Sequence, residues 1–114
     1  MDDLPFSPVL SWRDLLFVSG QVAVGAGGAL VEGGIAQQTE QVLDNLAALL
    51  DGAGSGLDRM LKCTIYLADL DDWAAMNEVW VRRVGVPRPA RCAVGVRLPE
   101  GMLIEVDAIA ATGA

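Results

Sequence analysis

The chain has 114 residues, 8 Lys+Arg against 15 Asp+Glu, a net charge of −7 and 53% hydrophobic residues, which suits one domain with a filled core. It contains no histidine, and this excludes Ser-His-Asp and Cys-His nucleophile pairs, His-ligated zinc and the two-His-one-carboxylate iron site. The acidic balance opposes non-specific nucleic-acid binding, and the single lysine, Lys62, is the one place a Schiff base could form.

In chain order, Met1-Asp2-Asp3-Leu4-Pro5 has no signal-peptide character and no apolar run is long enough to span a bilayer, so a soluble, cytoplasmic protein is expected. Asp14 to Ser19 is short, apolar and bounded by Gly20, which predicts a strand continuing through Val22–Val24. Gly25-Ala26-Gly27-Gly28 then predicts a turn, and Ala29-Leu30-Val31 a return strand that closes a hairpin. From Ile35 the period becomes helical: Ile35, Val42, Leu43, Leu46, Leu49 and Leu50 form one stripe, with Gln37, Gln38, Glu40, Gln41 and Asp44 facing away, and Gly52 and Gly54 ending the helix. Leu61–Leu67 reads as a strand. Asp69, Asp71 and Asp72 open a second helix in which Trp73, Met76, Trp80 and Val84 recur on one face, until Gly85 and Pro87 stop it. Ala90–Val96 and Leu103–Ala110 are the last two strands, and the short Leu98–Gly101 turn between them predicts a hairpin. The fold class is therefore α+β, a mixed sheet with two helices on one face in the order β-β-α-β-α-β-β, in one domain over residues 1–114.

Two features break the local pattern. Arg91 stands in an otherwise small, apolar strand, and Glu105 and Asp107 stand in a strand apolar almost everywhere else. An arginine fork matches a carboxylate with paired hydrogen bonds, and a glutamate can orient or deprotonate water. The bland readings are an edge arginine snorkelling to solvent and the wet face of a half-buried strand. Five of the eight basic residues, Arg82, Arg83, Arg88, Arg91 and Arg97, fall close together and read mostly as a solvated helix end and loop. Cys63 and Cys92 form no CxxC, which indicates neither a metal site nor a redox dithiol.

Pro5-Phe6-Ser7-Pro8, Leu16–Gln21, Gln41–Leu46, Lys62–Leu67, Trp73–Val79, Pro89-Ala90-Arg91 and Ile104–Ala110 together resemble the RidA/YjgF family, the enamine/imine deaminases also described as L-PSP endoribonucleases. The blocks occur in family order over nearly the whole chain. The resemblance implies a chorismate-mutase-like fold and a homotrimer with clefts between subunits. It also implies cofactor-free and metal-free hydrolysis of 2-aminoacrylate-type enamines or 2-imino acids to a 2-keto acid and ammonia. Carried onto this sequence, Arg91 would hold the substrate carboxylate and Glu105 would position the attacking water. Ser19 and Gly20 would line the cleft with Asn77, and the Cys92 backbone would face the carboxylate. Phe6 stands where many members have tyrosine, and the Arg91–Glu105 segment is one residue shorter than in well-characterised deaminases. Two alternatives stay open: a carboxylate-binding trimer without turnover, and an RNA-directed translation inhibitor or endoribonuclease.

Overall fold

A computed structural model describes residues 3–113. Its elements are β1 (Val9–Trp12), β2 (Leu15–Val22), α1 (Ile35–Gly52), β3 (Met60–Leu67), α2 (Trp73–Arg83), β4 (Ala90–Gly95) and β5 (Ile104–Ala111), with short 3-10 turns at Leu57–Arg59 and Leu70–Asp72. The five strands form one mixed sheet in the order β1-β2-β5-β3-β4. β5 runs antiparallel to both β2 and β3, while β4 runs parallel to β3 after the α2 crossover. Among the described residues no helix is long and apolar enough to cross a membrane.

Alternation along β5 organises the layers. Ile104, Val106, Ala108 and Ala110 are buried on the helix side, between the β2 pair Leu16 and Val18 and the β3 trio Cys63, Ile65 and Leu67. Val42, Leu43, Leu46 and Leu50 of α1 and Met76, Val79 and Trp80 of α2 close over them. Each such side chain contributes ~1.5–3 kcal/mol by leaving water. The helices are tied at their outer ends by Arg82 and Arg83 on Glu40, and by Arg83 on Asp44 at 2.6 Å. Hydrogen bonding to Arg83, then to Arg82, holds the Glu40 carboxyl below its usual range. That contribution is complete above the ordinary glutamate pKa and is lost as pH falls through the depressed one.

Three sequence expectations are corrected. The first hairpin joins β1 to β2, not residues 14–24 to Ala29–Val31, whose only pairing is the isolated bridge between Val24 and Leu30. Its two-residue connection is Arg13-Asp14 with Arg13 at φ 54, a conformation usually taken by Gly or Asn, so the turn carries no recognisable signature. Secondly, β4 and β5 do not pair, because β3 lies between them. Thirdly, Gln38 does not face away from the core. It is 2% exposed; its amide donates to the Gly101 carbonyl at 2.8 Å and accepts from the Leu103 N–H at 2.9 Å. Gln38 thus anchors the loop entering β5 to the first turn of α1. Gln38→Met keeps the volume but orphans both backbone groups, and is expected to cost about 1–3 kcal/mol. Urea unfolding at equal protein concentration should show a lower midpoint with an unchanged m-value.

Candidate functional site

The faces of the sheet separate the residues singled out from sequence into two groups. On the face away from the helices, a cavity of about 650 Å³ is lined by Phe6, Ser7, Phe17, Ser19, Gly20, Glu105 and Asp107, among others. β2 gains one residue against β5 between Val18 and Gln21, a bulge that turns Ser19-Gly20 out of the ladder. The Ser19 hydroxyl donates to the Ser7 carbonyl at 2.7 Å, and the Ser19 N–H donates to the Pro8 carbonyl. The segment carrying Phe6 is thereby tied to the bulge. Gly20 is there because Glu105 lies across it: a Cβ on Gly20 would overlap Glu105 Oε2.

Asp107, two residues further along the same face of β5, has different company. It accepts from the Tyr66 hydroxyl at 3.0 Å and from the Thr64 N–H at 3.2 Å. The Tyr66 pKa is raised, first by that hydrogen bond. The side-chain partner is thus a tyrosine of β3. Among the described residues the Glu105 carboxylate has neither an ion pair nor a hydrogen bond.

The other group lies at the β4 edge. Arg91 is opposite the core residue Cys63 in the parallel ladder, so its side chain points to the helix side. There its guanidinium sits 5.3 Å from the Trp80 ring centroid and 5.9 Å from that of Trp73, within cation–π range. No carboxylate pairs with it among the described residues. Burial lowers its pKa, though an arginine stays charged. A cavity of about 270 Å³ beside it is lined by Asn77, Trp80, Val81, Arg88, Pro89 and Arg91. Asn77 Oδ1 is buried with no hydrogen-bond partner among the described residues, an uncommon state for a polar atom.

Arg91 and Glu105 are therefore not brought together within one chain. They lie on opposite faces of the sheet, on strands separated by β3, and Arg91 is level with Ala108 rather than Glu105; two strand steps across and three residues along set their Cα atoms roughly 14 Å apart. Cys92 is exposed on the Glu105 face, level with Thr64 and Asp107. Cys63 is buried, which pushes its thiol up to about 12 and keeps it protonated. Lys62 extends from the exposed part of β3, its Nζ 3.4 Å from the Cys63 carbonyl, and lines neither of these cavities.

Sequence reasoning missed the tryptophan cradle of Arg91. Trp73 and Trp80 stand seven residues apart, two helical turns, and so share a face of α2. Their stripe reads as core, and only the β3-α2-β4 crossover puts an arginine against it. Tyr66 was hidden in the same way, because its register against Asp107 depends on β5 lying beside β3.

Comparison with known proteins gives a consistent answer. The model of the family described as Endoribonuclease L-PSP matches residues 3–112. A RutC family protein of Pyrococcus horikoshii is 44% identical over 108 residues, covering 93% of this chain and 86% of that protein. The 2-iminobutanoate/2-iminopropanoate deaminase of Mus musculus is 35% identical over 111 residues, covering 96% and 82%. The crystal structure of RidA from an Antarctic Psychrobacter superposes with a TM-score of 0.89 at 34% identity, over 96% of this chain and 89% of that one. A yeast structure, YEO7, reaches 0.92 at 38% identity, over 97% and 90%. The α+β architecture is that of these structures, and two fission-yeast relatives are named as mitochondrial. On the match to its model and the identity of these relatives, the chain belongs to the L-PSP endoribonuclease family, the RidA/YjgF proteins.

Proposed function

We propose that the protein is a hydrolytic deaminase of small 2-imino acids and their enamine tautomers, acting in clefts formed between copies of the chain in a homotrimer. The observation that carries this reading is the pair of half-sites: an acid-free cavity around a tryptophan-stacked Arg91, and a cavity around an unpaired Glu105 on the opposite sheet face. A repeated head-to-tail contact that lays one half-site over the other would complete the cleft and close a ring. Leu10, Trp12 and Phe17, which are 61%, 60% and 40% exposed in the single chain, give that contact an apolar component.

In such a cleft the substrate carboxylate would sit on the Arg91 fork, held by two charge-assisted hydrogen bonds. The cation–π contacts hold the plane of the fork. Glu105 of the adjoining copy would accept a proton from water as the water oxygen bonds to the imine carbon, forming a carbinolamine. Glu105 returns that proton to the nitrogen, the C–N bond breaks with its electron pair on nitrogen as an oxygen lone pair closes the carbonyl, and the hydroxyl proton passes to the departing ammonia. Iminium carboxylate and water become 2-keto acid and ammonium. Arg91 is asked for positioning alone and Glu105 for positioning and the shuttling of one proton, which together lower a barrier that is already modest. RNA cleavage is the weaker reading, given the net charge of −7 and the lack of histidine.

Five measurements test the proposal. Light scattering after size exclusion should give three times the chain mass at micromolar protein, and a monomer overturns the assembly. With imino acids released in situ by an amino-acid oxidase, Arg91→Lys should lower kcat/KM by ~30-fold, about 2 kcal/mol of transition-state binding. Glu105→Gln should lower kcat by ~100-fold or more while carboxylate binding survives. Asp107→Asn should instead lower stability through Tyr66 and Thr64; a stable Asp107→Asn trimer without activity, alongside an active Glu105→Gln, would move the catalytic acid to Asp107. Gly20→Ala should fold, since the tip of Glu105 can swing aside, yet lose activity because that swing displaces the carboxylate. A folded trimer that binds a carboxylate but turns over no imine would reduce the function to binding.

A further inference from the structure

The arginines around α2 fall into two classes. Arg82 and Arg83 are neutralised by Glu40 and Asp44. Arg88 and Arg91 have no acidic partner among the described residues, yet they line one cavity to which no carboxylate contributes. In a chain of net charge −7, two unneutralised cations facing one cavity of about 270 Å³ are more than a single carboxylate requires.

Arg88 is also placed differently from an ordinary surface arginine. It stands between Pro87 and Pro89. Pro89 restricts the preceding residue to extended backbone, and the prolines fix their own φ, so the root of the Arg88 side chain is held. Its one hydrogen bond among the described residues is a 3.4 Å contact to the Val81 carbonyl, at the long limit for such a bond. Most of its five N–H donors are therefore free for a ligand. Arg91 lies three positions further along, roughly 10 Å between Cα atoms in extended chain, and both side chains border the same space.

We infer that Arg88 is a specificity-determining residue that binds a second carboxylate, so that the preferred substrates are 2-imino dicarboxylates, the imines of acidic amino acids. This inference rests on the deaminase reading above: Arg91 takes the carboxylate next to the imine carbon, and Arg88 takes the one at the far end of the side chain.

The test compares the wild-type protein with Arg88→Gln, an exposed position where folding is not at stake. Imines are generated in situ from L-aspartate and L-glutamate on one side and from L-alanine and L-leucine on the other. The wild type should favour the dicarboxylic imines, and the dicarboxylic-to-monocarboxylic ratio of kcat/KM should fall ~10-fold in Arg88→Gln. An equal ratio in the two proteins overturns the inference and leaves the deaminase reading standing. Calorimetric titration with succinate and with butyrate separates the other case. If no imine is turned over, the deaminase reading fails, but a succinate preference lost in Arg88→Gln still assigns the second anion to Arg88. If neither protein distinguishes succinate from butyrate, the inference fails as well.

Discussion

Everything in this fold is referred to β5. It is the central strand of the five, antiparallel to β2 on one side and to β3 on the other, and its two faces have opposite tasks. Ile104, Val106, Ala108 and Ala110 supply the floor of the core, and Glu105 and Asp107 supply the acids of the outer face. Because side chains alternate strictly along a strand, a slip of one residue would bury both carboxylates and expose the floor. The cost of burying two unpaired charges is large, so core packing and site chemistry enforce the same register. Gln38 reinforces it by gripping the loop just before the strand.

The two cavities differ in how their charged groups are kept from partners within the chain. Glu105 is kept free of internal partners by Gly20, which gives it room, and by Tyr66, which occupies its neighbour Asp107. Arg91 is kept free by the composition around it, two indole rings and an amide, with the nearby acids of α1 taken by Arg82 and Arg83. A charge stacked on an aromatic face is attracted without being neutralised, so it remains available for an anion that arrives later.

Much of this was legible in the sequence where the signal is local. The helical stripe of α1, the stop at Gly52 and Gly54, the alternation of β3 and β5 and the odd polarity of Arg91 and Glu105 all follow from residue spacing. What was not legible depends on partners distant in the chain. Val9–Trp12 is a strand because β2 lies beside it, and its Arg13-Asp14 turn has no hairpin signature. The short Leu98–Gly101 turn suggested that β4 and β5 pair, whereas the crossover through α2 makes β4 parallel to β3 and leaves β5 inside. That topological fact moved Arg91 to the far side of the sheet from Glu105, and it turns one presumed site into two half-sites. Gln38 looked solvent-facing because its partners, Gly101 and Leu103, are more than sixty residues away.

The central strand also follows all of its partners in the chain, and this has a consequence for how the protein is made. Until β5 emerges, β2 and β3 each present an open hydrogen-bonding edge beside apolar side chains, and α1 has no complete surface on which to pack. Nascent or truncated chains that stop before Ile104 are consequently sticky intermediates, open to strand addition from a neighbour. The long-range closure that ends this exposure is a slow class of folding event. Pairing of β5 is thus the step that removes both open edges at once.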